Sequence, residues 1–358
     1  MKTTKKAIAL VLTLALALAL VAGCAQTPGA EPSTADANAP AAPDAGHQPD
    51  NSLPTPGIPA ASPFTVGVIQ FGSHPSLDNC YAGVEEALLA AGTVSIDLQN
   101  GNFDSATCDT IAKNMVAKGY DMLIGIATPA AVSAYAAAAN TDIPVVFCAV
   151  SDPVAAGLAD SDEAPGGNCT GTKDVLDFAA QLKLITTLQP EAKKIGILYT
   201  TSEANSVSQL AQIKGIAPQF GVEIVEQGVQ GAADIPQAAA SLAAKVDCIN
   251  NFTDNNVVNN LGILLEQANA AGIPVYGSEE EQVANGCLAS VGLDYVALGR
   301  ETGEMALDIL GGAEAAAMAV RQITDATPII NTDVLAAFSL ELPASYESAA
   351  LVTAGQAD

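Results

Sequence analysis

Val66-Gly67-Val68-Ile69-Gln70-Phe71 and Lys194-Ile195-Gly196-Ile197-Leu198-Tyr199 are two β-rich runs about 130 positions apart, and the residues after each run decide the fold. Each leads through a polar loop into apolar residues at three-to-four spacing: Leu77, Tyr81, Val84 and Leu88 in one copy, Leu210, Ile213, Ala217 and Phe220 in the other. That spacing is the stripe of a helix with one buried face. Second strands are expected at 94–99 and 222–227. Further on, Met122-Leu123-Ile124 answers Cys248-Ile249, and Ile143-Pro144-Val145-Val146-Phe147 answers Ile273-Pro274-Val275-Tyr276-Gly277. The runs are apolar on successive residues, as parallel strands covered on both faces require. The sequence therefore reads as an α/β fold with two repeated βαβ lobes, each around a parallel sheet.

In open parallel sheets a ligand binds beyond the carboxyl ends of the strands. In the first lobe those ends lead into Gly72-Ser73-His74-Pro75, Ala127-Thr128-Pro129 and Ser151-Asp152-Pro153. In the second they lead into Ser202-Glu203-Ala204-Asn205-Ser206, Thr253-Asp254-Asn255-Asn256 and Ser278-Glu279-Glu280. Each loop stands where a helix begins, so free backbone N–H groups and the positive end of the helix dipole face the cleft and suit a carboxylate. The same Ser, Thr and Asn residues also fit as ordinary N-caps.

Several strings in these loops resemble one family: Val68-Ile69-Gln70-Phe71-Gly72-Ser73-His74-Pro75, Ile126-Ala127-Thr128-Pro129, Ala149-Val150-Ser151-Asp152-Pro153 and Pro165-Gly166-Gly167-Asn168-Cys169-Thr170-Gly171. Ser202 to Ser206, Thr253-Asp254-Asn255 and Gly292-Leu293-Asp294-Tyr295 continue the likeness, which runs from about Phe64 to Leu342. The chain resembles ABC-transporter substrate-binding proteins of the tryptophan/tyrosine type. That resemblance implies a type I periplasmic-binding-protein fold of two Rossmann-like lobes joined by a three-crossing hinge. It also implies a monomer without cofactor or metal, which holds an aromatic amino acid between its lobes and passes it to an ABC permease. The expected boundaries are 64–176 plus 294–313 for lobe 1, 177–293 plus 314–346 for lobe 2, and 347–358 for a tail.

The strand-end rule and the resemblance together select the ligand-binding candidates. They are Gln70, Phe71 and Ser73, then Thr128 and Pro129, then Ser151 and Asp152 in lobe 1. Ser202, Asn205 and Ser206, Asp254 and Asn255, and Ser278 and Glu279 belong to lobe 2, with Asp294 at a crossing. Thr128, Pro129 and the amides after them, facing Asn205 and Ser206, are expected at the α-carboxylate. The only arginines are Arg300 and Arg321, so a bidentate guanidinium clamp is not the obvious arrangement. Asp254 and Asp294 are expected at the α-ammonium, or else as caps or lobe-to-lobe bonds. Phe71, Tyr199, Phe252 and Tyr276 fall near strand ends, where they either sandwich an aromatic ligand or fill the core. Asn250-Asn251 interrupts a strand where apolar residues are expected. Either that strand end enters the cleft or the role of Asp254 is misplaced.

Ahead of the lobes, Lys2, Lys5 and Lys6 precede 15 uncharged residues, Ala7 to Val21, and then Gly23-Cys24. That run is shorter than the roughly 20 residues a membrane span needs. The order resembles the lipobox of bacterial lipoproteins, which implies a signal peptide over 1–23 and a Cys24 that carries a diacylglyceryl group and further acyl chains such as palmitate. Two chains anchor stably where one holds marginally. Residues 24–63 then read as the lipidated cysteine and a tether. Nine of the 20 prolines lie between Ala25 and Pro63 among small and polar residues, a composition that cannot offset its ordering entropy by burial.

The net charge is −26, from 13 basic and 39 acidic residues. Removal of residues 1–23 takes three lysines and no acid, leaving 10 basic residues and a net −29. Such a surface repels phosphate backbones, so nucleic acid is not an expected partner. Catalytic readings are weak. His47 lies in the tether and His74 is the only other histidine, too few for a histidine zinc site. No Gly-x-Ser-x-Gly elbow is present, and in Gly166 to Lys173 a threonine precedes the lysine where a phosphate loop places glycine. Glu279-Glu280-Glu281 reads as a solvated helix start. Cys80, Cys108, Cys148, Cys169, Cys248 and Cys287 lack redox or metal spacing and read as buried thiols. The reading is a membrane-tethered, extracytoplasmic solute receptor. The alternatives are a sensory module of the same fold, or an importer component for a sugar or nucleoside.

Overall fold

The computed structural model describes residues 64–323 and 326–353. The signal peptide, Cys24, the tether and the last residues of the tail lie outside them. The first lobe alternates β1 (Phe64–Gln70), α1 (Pro75–Ala90), β2 (Val94–Asn100), α2 (Ser105–Ala117), β3 (Met122–Ile126), α3 (Thr128–Ala138), β4 (Val145–Cys148) and β5 (Cys169–Lys173). The chain then crosses into α4 (Phe178–Leu188), β6 (Lys194–Thr200), α5 (Ala204–Ile216), β7 (Glu223–Val229), α6 (Ile235–Ala243) and β8 (Cys248–Asn250). That lobe continues with α7 (Asn255–Asn259), α8 (Leu261–Ala271), β9 (Val275–Tyr276), α9 (Glu280–Ala284) and β10 (Ala289–Gly292). It returns through α10 (Tyr295–Leu310) and β11 (Arg321–Gln322) to the first lobe, then ends in β12 (Thr327–Asn331), α11 (Thr332–Ala337) and β13 (Ala350–Val352).

The first sheet runs β11-β5-β4-β3-β1-β2, all parallel, and the second runs β7-β6-β8-β9, also parallel. A small sheet β10-β12-β13 lies beside the crossings. Burial explains the strand sequences: Val66, Val68, Ile69, Leu123, Ile124, Val145 and Val146 are all fully buried, as a sheet covered by helices on both faces demands. In the second lobe Ile195 and Ile197 of β6 join one apolar cluster and Leu198 joins another, so the sheet has a core on each face. Asp104, Asp177 and Asn331 accept backbone N–H bonds at the starts of α2, α4 and α11, as short acidic and amide side chains favour at N-caps.

Register is what makes a site. Gln70 pairs with both Asn100 and Ile126, so three strands of the first sheet end level, and Thr200 pairs with Val229 as Asn250 pairs with Tyr276 in the second. The crossings fall between β5 and α4, between β10 and α10, and between β11 and β12. The expected boundary at 314 shifts here: Arg321–Gln322 adds an edge strand to the first sheet beside β5, so those residues belong to lobe 1. The signal was too short to read, since two residues carry no periodicity. All six described cysteines are unpaired and buried.

Candidate functional site

Where the two rims of strand ends meet, His74, Ser76, Ala127, Thr128, Ala149, Ser151, Asp174 and Tyr295 face Asn205, Thr253, Asn255 and Glu279 across a cavity. Its free space is about 20 Å³, on the order of one water molecule. A ligand of amino-acid size therefore enters as the lobes part. Three hydrogen bonds hold them together: Ser208 Oγ donates to Asp152 Oδ2 at 2.5 Å, Gln209 Nε2 to Ser151 Oγ at 2.9 Å, and Asn79 Nδ2 to Glu281 Oε1 at 2.5 Å.

The cavity wall is short of partners. His74 Nδ1 and Nε2, Ser76 Oγ, Thr128 Oγ1 and Asn205 Oδ1 are buried with no hydrogen bond, and these five are half of the ten such atoms among the described residues. Buried polar groups normally have partners, and each orphan costs roughly 1–3 kcal/mol. Backbone strain concentrates at the same rim. Of the five non-glycine residues with positive φ among the described residues, Asn102, Phe103, Ala127 and Ala149 come after β2, β3 and β4 (φ 52°, 59°, 74° and 56°). Such conformations persist where the surroundings impose them, commonly at binding sites.

The wall is also acidic. Asp174, on the first crossing, accepts from Ser151 Oγ at 2.9 Å and Tyr295 Oη at 3.2 Å, and burial pushes it up to about 6. Burial and then the charge of Glu281 push Glu279 up to about 8. Behind Asn205, burial and then Asp254 raise Glu203 to about 8; it accepts from the Asn255 and Asn256 backbone and side-chain amides. No lysine or arginine lines the cavity. A cationic group on the ligand is what these carboxylates can neutralise. Thr128 opens α3 and Asn205 lies in the first turn of α5, so backbone donors and helix dipoles offer the anion site.

The structure sorts the sequence-derived candidates. Thr128, Ser151, Asn205, Asn255 and Glu279 line the cavity. Asp254 and Asp294 do not, which corrects their placing at a ligand ammonium. Asp254 accepts from Thr200 N (2.5 Å), Thr200 Oγ1 (2.8 Å), Ser206 Oγ (2.8 Å) and Val257 N (3.0 Å) inside its own lobe, and burial raises its pKa. Asp294 is exposed and caps α10 through Ala297 N. Ser206 is thereby drawn onto Asp254, Ser278 donates to the Asn251 carbonyl, and Gln70 donates to Gly72 O and Asp78. Ser73 and Ser202 are exposed, Pro129 is half-buried at the α3 start, and Asp152 bridges to Ser208 rather than lining the cavity.

Of the aromatic candidates Phe71, Phe252 and Tyr276 are core residues and Tyr199 is half-buried against the core. Phe252 packs on Phe178 at 5.5 Å, Tyr276 donates to Gln189, Phe71 meets Phe103 edge-on, and Tyr199 lies beside Gly228. Tyr295 and His74 are the ring-bearing side chains of the wall. The Asn250-Asn251 interruption resolves both ways. Asn250 accepts from Gln181 and Asn251 donates to Gln282 in a buried network, and the segment then delivers Thr253 and Asn255 to the cavity while Asp254 turns inward. His74, Ser76, Asp174 and Tyr295 were missed. For Asp174 a signal existed, a lone acid directly after a crossover strand and before Val175-Leu176.

A family model described as ABC transporter substrate binding protein matches residues 65–356. A Clostridioides difficile (strain R20291) protein named tyrosine-binding protein is 36% identical over 343 residues, 94% of this chain and 93% of that one. The crystal structure of an ABC domain from Streptococcus pneumoniae in complex with L-Trp is 34% identical, covers 81% of this chain and 100% of its own, and superposes with a TM-score of 0.79. A ligand-free, open substrate-binding protein from Clostridium difficile, 36% identical over 81% of this chain and 99% of its own, gives 0.63. At similar identity this chain superposes better on the structure with L-Trp than on the open, ligand-free one.

Proposed function

We propose that this chain, which belongs to the ABC transporter substrate-binding proteins, binds an aromatic L-amino acid between its lobes for delivery to a membrane permease. Its two parallel-sheet lobes form the periplasmic-binding-protein fold. The observation that carries the ligand class is the clustering of unpartnered buried donors and acceptors beside Asp174 and Glu279, with no cation in the wall. A zwitterion fits this pattern: its ammonium meets the carboxylates and the free Asn205 Oδ1, and its carboxylate meets Thr128 Oγ1 and the start of α3. Relatives of more than 30% identity that are named for tyrosine or solved with L-Trp support an aromatic side chain. No catalytic step is assigned to it.

The receptor works outside the cytoplasm, anchored through acyl chains on Cys24 and held off the bilayer by the 24–63 tether. Cys24→Ala should move the protein from the membrane fraction to the soluble one; retention would remove the anchor. Ligand class is tested by thermal shift against L-Tyr, L-Trp, L-Phe, L-Leu, a pentose and a nucleoside. A ligand at a hundred times its Kd adds about 2.7 kcal/mol, so the aromatic amino acids should raise Tm by several degrees. Stabilisation by the sugar or nucleoside alone would overturn the proposal.

A further inference from the structure

We propose that His74 determines specificity within the aromatic class by reading a hydroxyl on the ligand's ring, which makes tyrosine the preferred ligand over phenylalanine. The inference rests on the amino-acid reading above and goes on to assign one side chain.

His74 occupies the N-cap position of α1, with an extended backbone (φ −151°, ψ 159°), yet its side chain makes no capping bond. Residues at that position commonly turn an oxygen back onto the helix N–H groups. The imidazole turns into the cavity instead. It is 9% exposed, and neither nitrogen has a hydrogen bond. Burial lowers its pKa to about 4, so it is neutral at pH 7, with one nitrogen as donor and the other as acceptor. The polar groups that face it are Asp78 on its own helix and the Asn255 amide across the cleft.

The ring is held by an arrangement that a merely space-filling residue would not require. Phe103 stacks on it at 6.3 Å with an interplanar angle of 13°, and Phe71 meets Phe103 edge-on at 5.8 Å. Phe103 reaches that place only through two successive residues in the left-handed region, Asn102 and Phe103. It also needs Gly72, whose Cβ would lie 2.2 Å from the Phe103 ring. A strained turn and an obligatory glycine therefore support one buried imidazole that makes no hydrogen bond of normal geometry and has the Asn255 amide as its polar neighbour across the cleft.

Elimination then gives the imidazole its partner. The ammonium is matched by Asp174, Glu279 and Asn205 Oδ1, and the carboxylate by Thr128 and the α3 start. Ser76 Oγ and the two His74 nitrogens are left for the side chain of the ligand, with the Asn255 amide alone facing the imidazole from the protein across the cleft. A phenol both donates and accepts and satisfies both functions, an indole N–H satisfies one, and a phenyl ring satisfies neither. A site built to bond a hydroxyl discriminates strongly against the analogue that lacks it, because its own polar atoms stay orphaned.

The test is calorimetric titration of L-Tyr and L-Phe into the wild type, His74→Phe and His74→Gln. His74→Phe keeps a ring against Phe103, and His74→Gln keeps a donor and an acceptor. The wild type should prefer L-Tyr by about tenfold or more. In His74→Phe the preference should fall below about threefold through loss of L-Tyr affinity, with L-Phe affinity held or improved, and His74→Gln should lie between. Equal loss of both ligands in either variant, or no preference in the wild type, would overturn the assignment while leaving an aromatic receptor intact. If the wild type binds neither amino acid, the amino-acid reading itself fails. Should His74→Phe prove unfolded by circular dichroism, His74→Gln alone decides, by whether the Tyr/Phe ratio drops.

Discussion

Asp174 is fully enclosed, and its hydrogen-bond partners are a hydroxyl of the first lobe and the Tyr295 phenol at the second crossing; no cation is among them. Its folded pKa of about 6 lies above the ordinary 3.8, so the folded state holds a proton that the unfolded chain releases. Stability from this group therefore falls as pH rises from about 4 to 6, and above that the ionised carboxylate costs about 3 kcal/mol. Glu279 and Glu203 extend the same trend up to about pH 8. An ammonium in the cavity reverses the preference, because it binds the ionised forms. The ligand-free protein should thus melt higher at pH 6 than at pH 8, while affinity for L-Tyr rises over the same interval and binding releases protons. Melting curves with and without ligand, and calorimetry in two buffers of different ionisation enthalpy, check both signs; parallel trends would refute the pairing. Asp174→Asn should raise the ligand-free Tm and weaken binding about tenfold or more. Thr128 and Asn205 were legible because each stands at the start of a helix that follows a repeated strand. The role of Asp254 stayed open between ammonium binding and capping because Thr-Asp-Asn reads the same either way, and the structure shows the cap. His74 was seen in the first cleft loop but not picked as a binding residue, because its pairing with Phe103 depends on a left-handed turn and nothing in Gly101-Asn102-Phe103 announces two successive positive φ values.

Among the elements, α1 and α10 fix the returning chain to the first lobe. The chain leaves the second lobe at Asp294 and packs α10 along α1 so closely that a Cβ on Gly83 would lie 2.1 Å from the Val296 carbonyl oxygen, and one on Gly299 would lie 2.0 Å from that of Cys80. Gly303 repeats the approach one turn later, against Ala87. Backbone atoms cannot step aside as a side chain can. Gly299→Ala should cost about 1–3 kcal/mol and lower Tm by several degrees, whereas Gly215→Ala, on the open face of α5, should lower it little if at all. Chemical denaturation of the two variants compares them directly; equal losses would mean that the crossing yields. The strands of the two repeats could be read from apolar runs, and α1 and α5 from three-to-four spacing. β11 could not be read, since its strand character comes from Thr172 and Lys173 alongside it rather than from its own two residues.

At the scale of the molecule, lobe closure and ligand binding share one equilibrium. The Ser208–Asp152 and Asn79–Glu281 bonds span the cleft, and neither Ser208 nor Asn79 lines the cavity. Each such bond contributes roughly 0.5–1.5 kcal/mol, and apparent affinity scales with the fraction of molecules able to close. Ser208→Ala combined with Asn79→Ala should therefore weaken L-Tyr binding by about fivefold to a hundredfold and increase the radius of gyration of the ligand-free protein in small-angle scattering. Unchanged scattering alongside weaker binding would place these residues outside the closure. The two-lobed plan was visible in the repeat at Val66 and Lys194, since covered parallel strands leave a strong apolar signature. The cleft's own contacts were not, because they join residues of unrelated register across a movable gap.

The burial of all six described thiols has a practical consequence. In a soluble chain begun after Cys24, a cysteine placed at exposed Ser202, on the rim of the second lobe, would face maleimide reagents with no accessible rival among the described residues. A dye coupled there would report opening and closing as a change in brightness, turning the receptor into an optical gauge of its own solute.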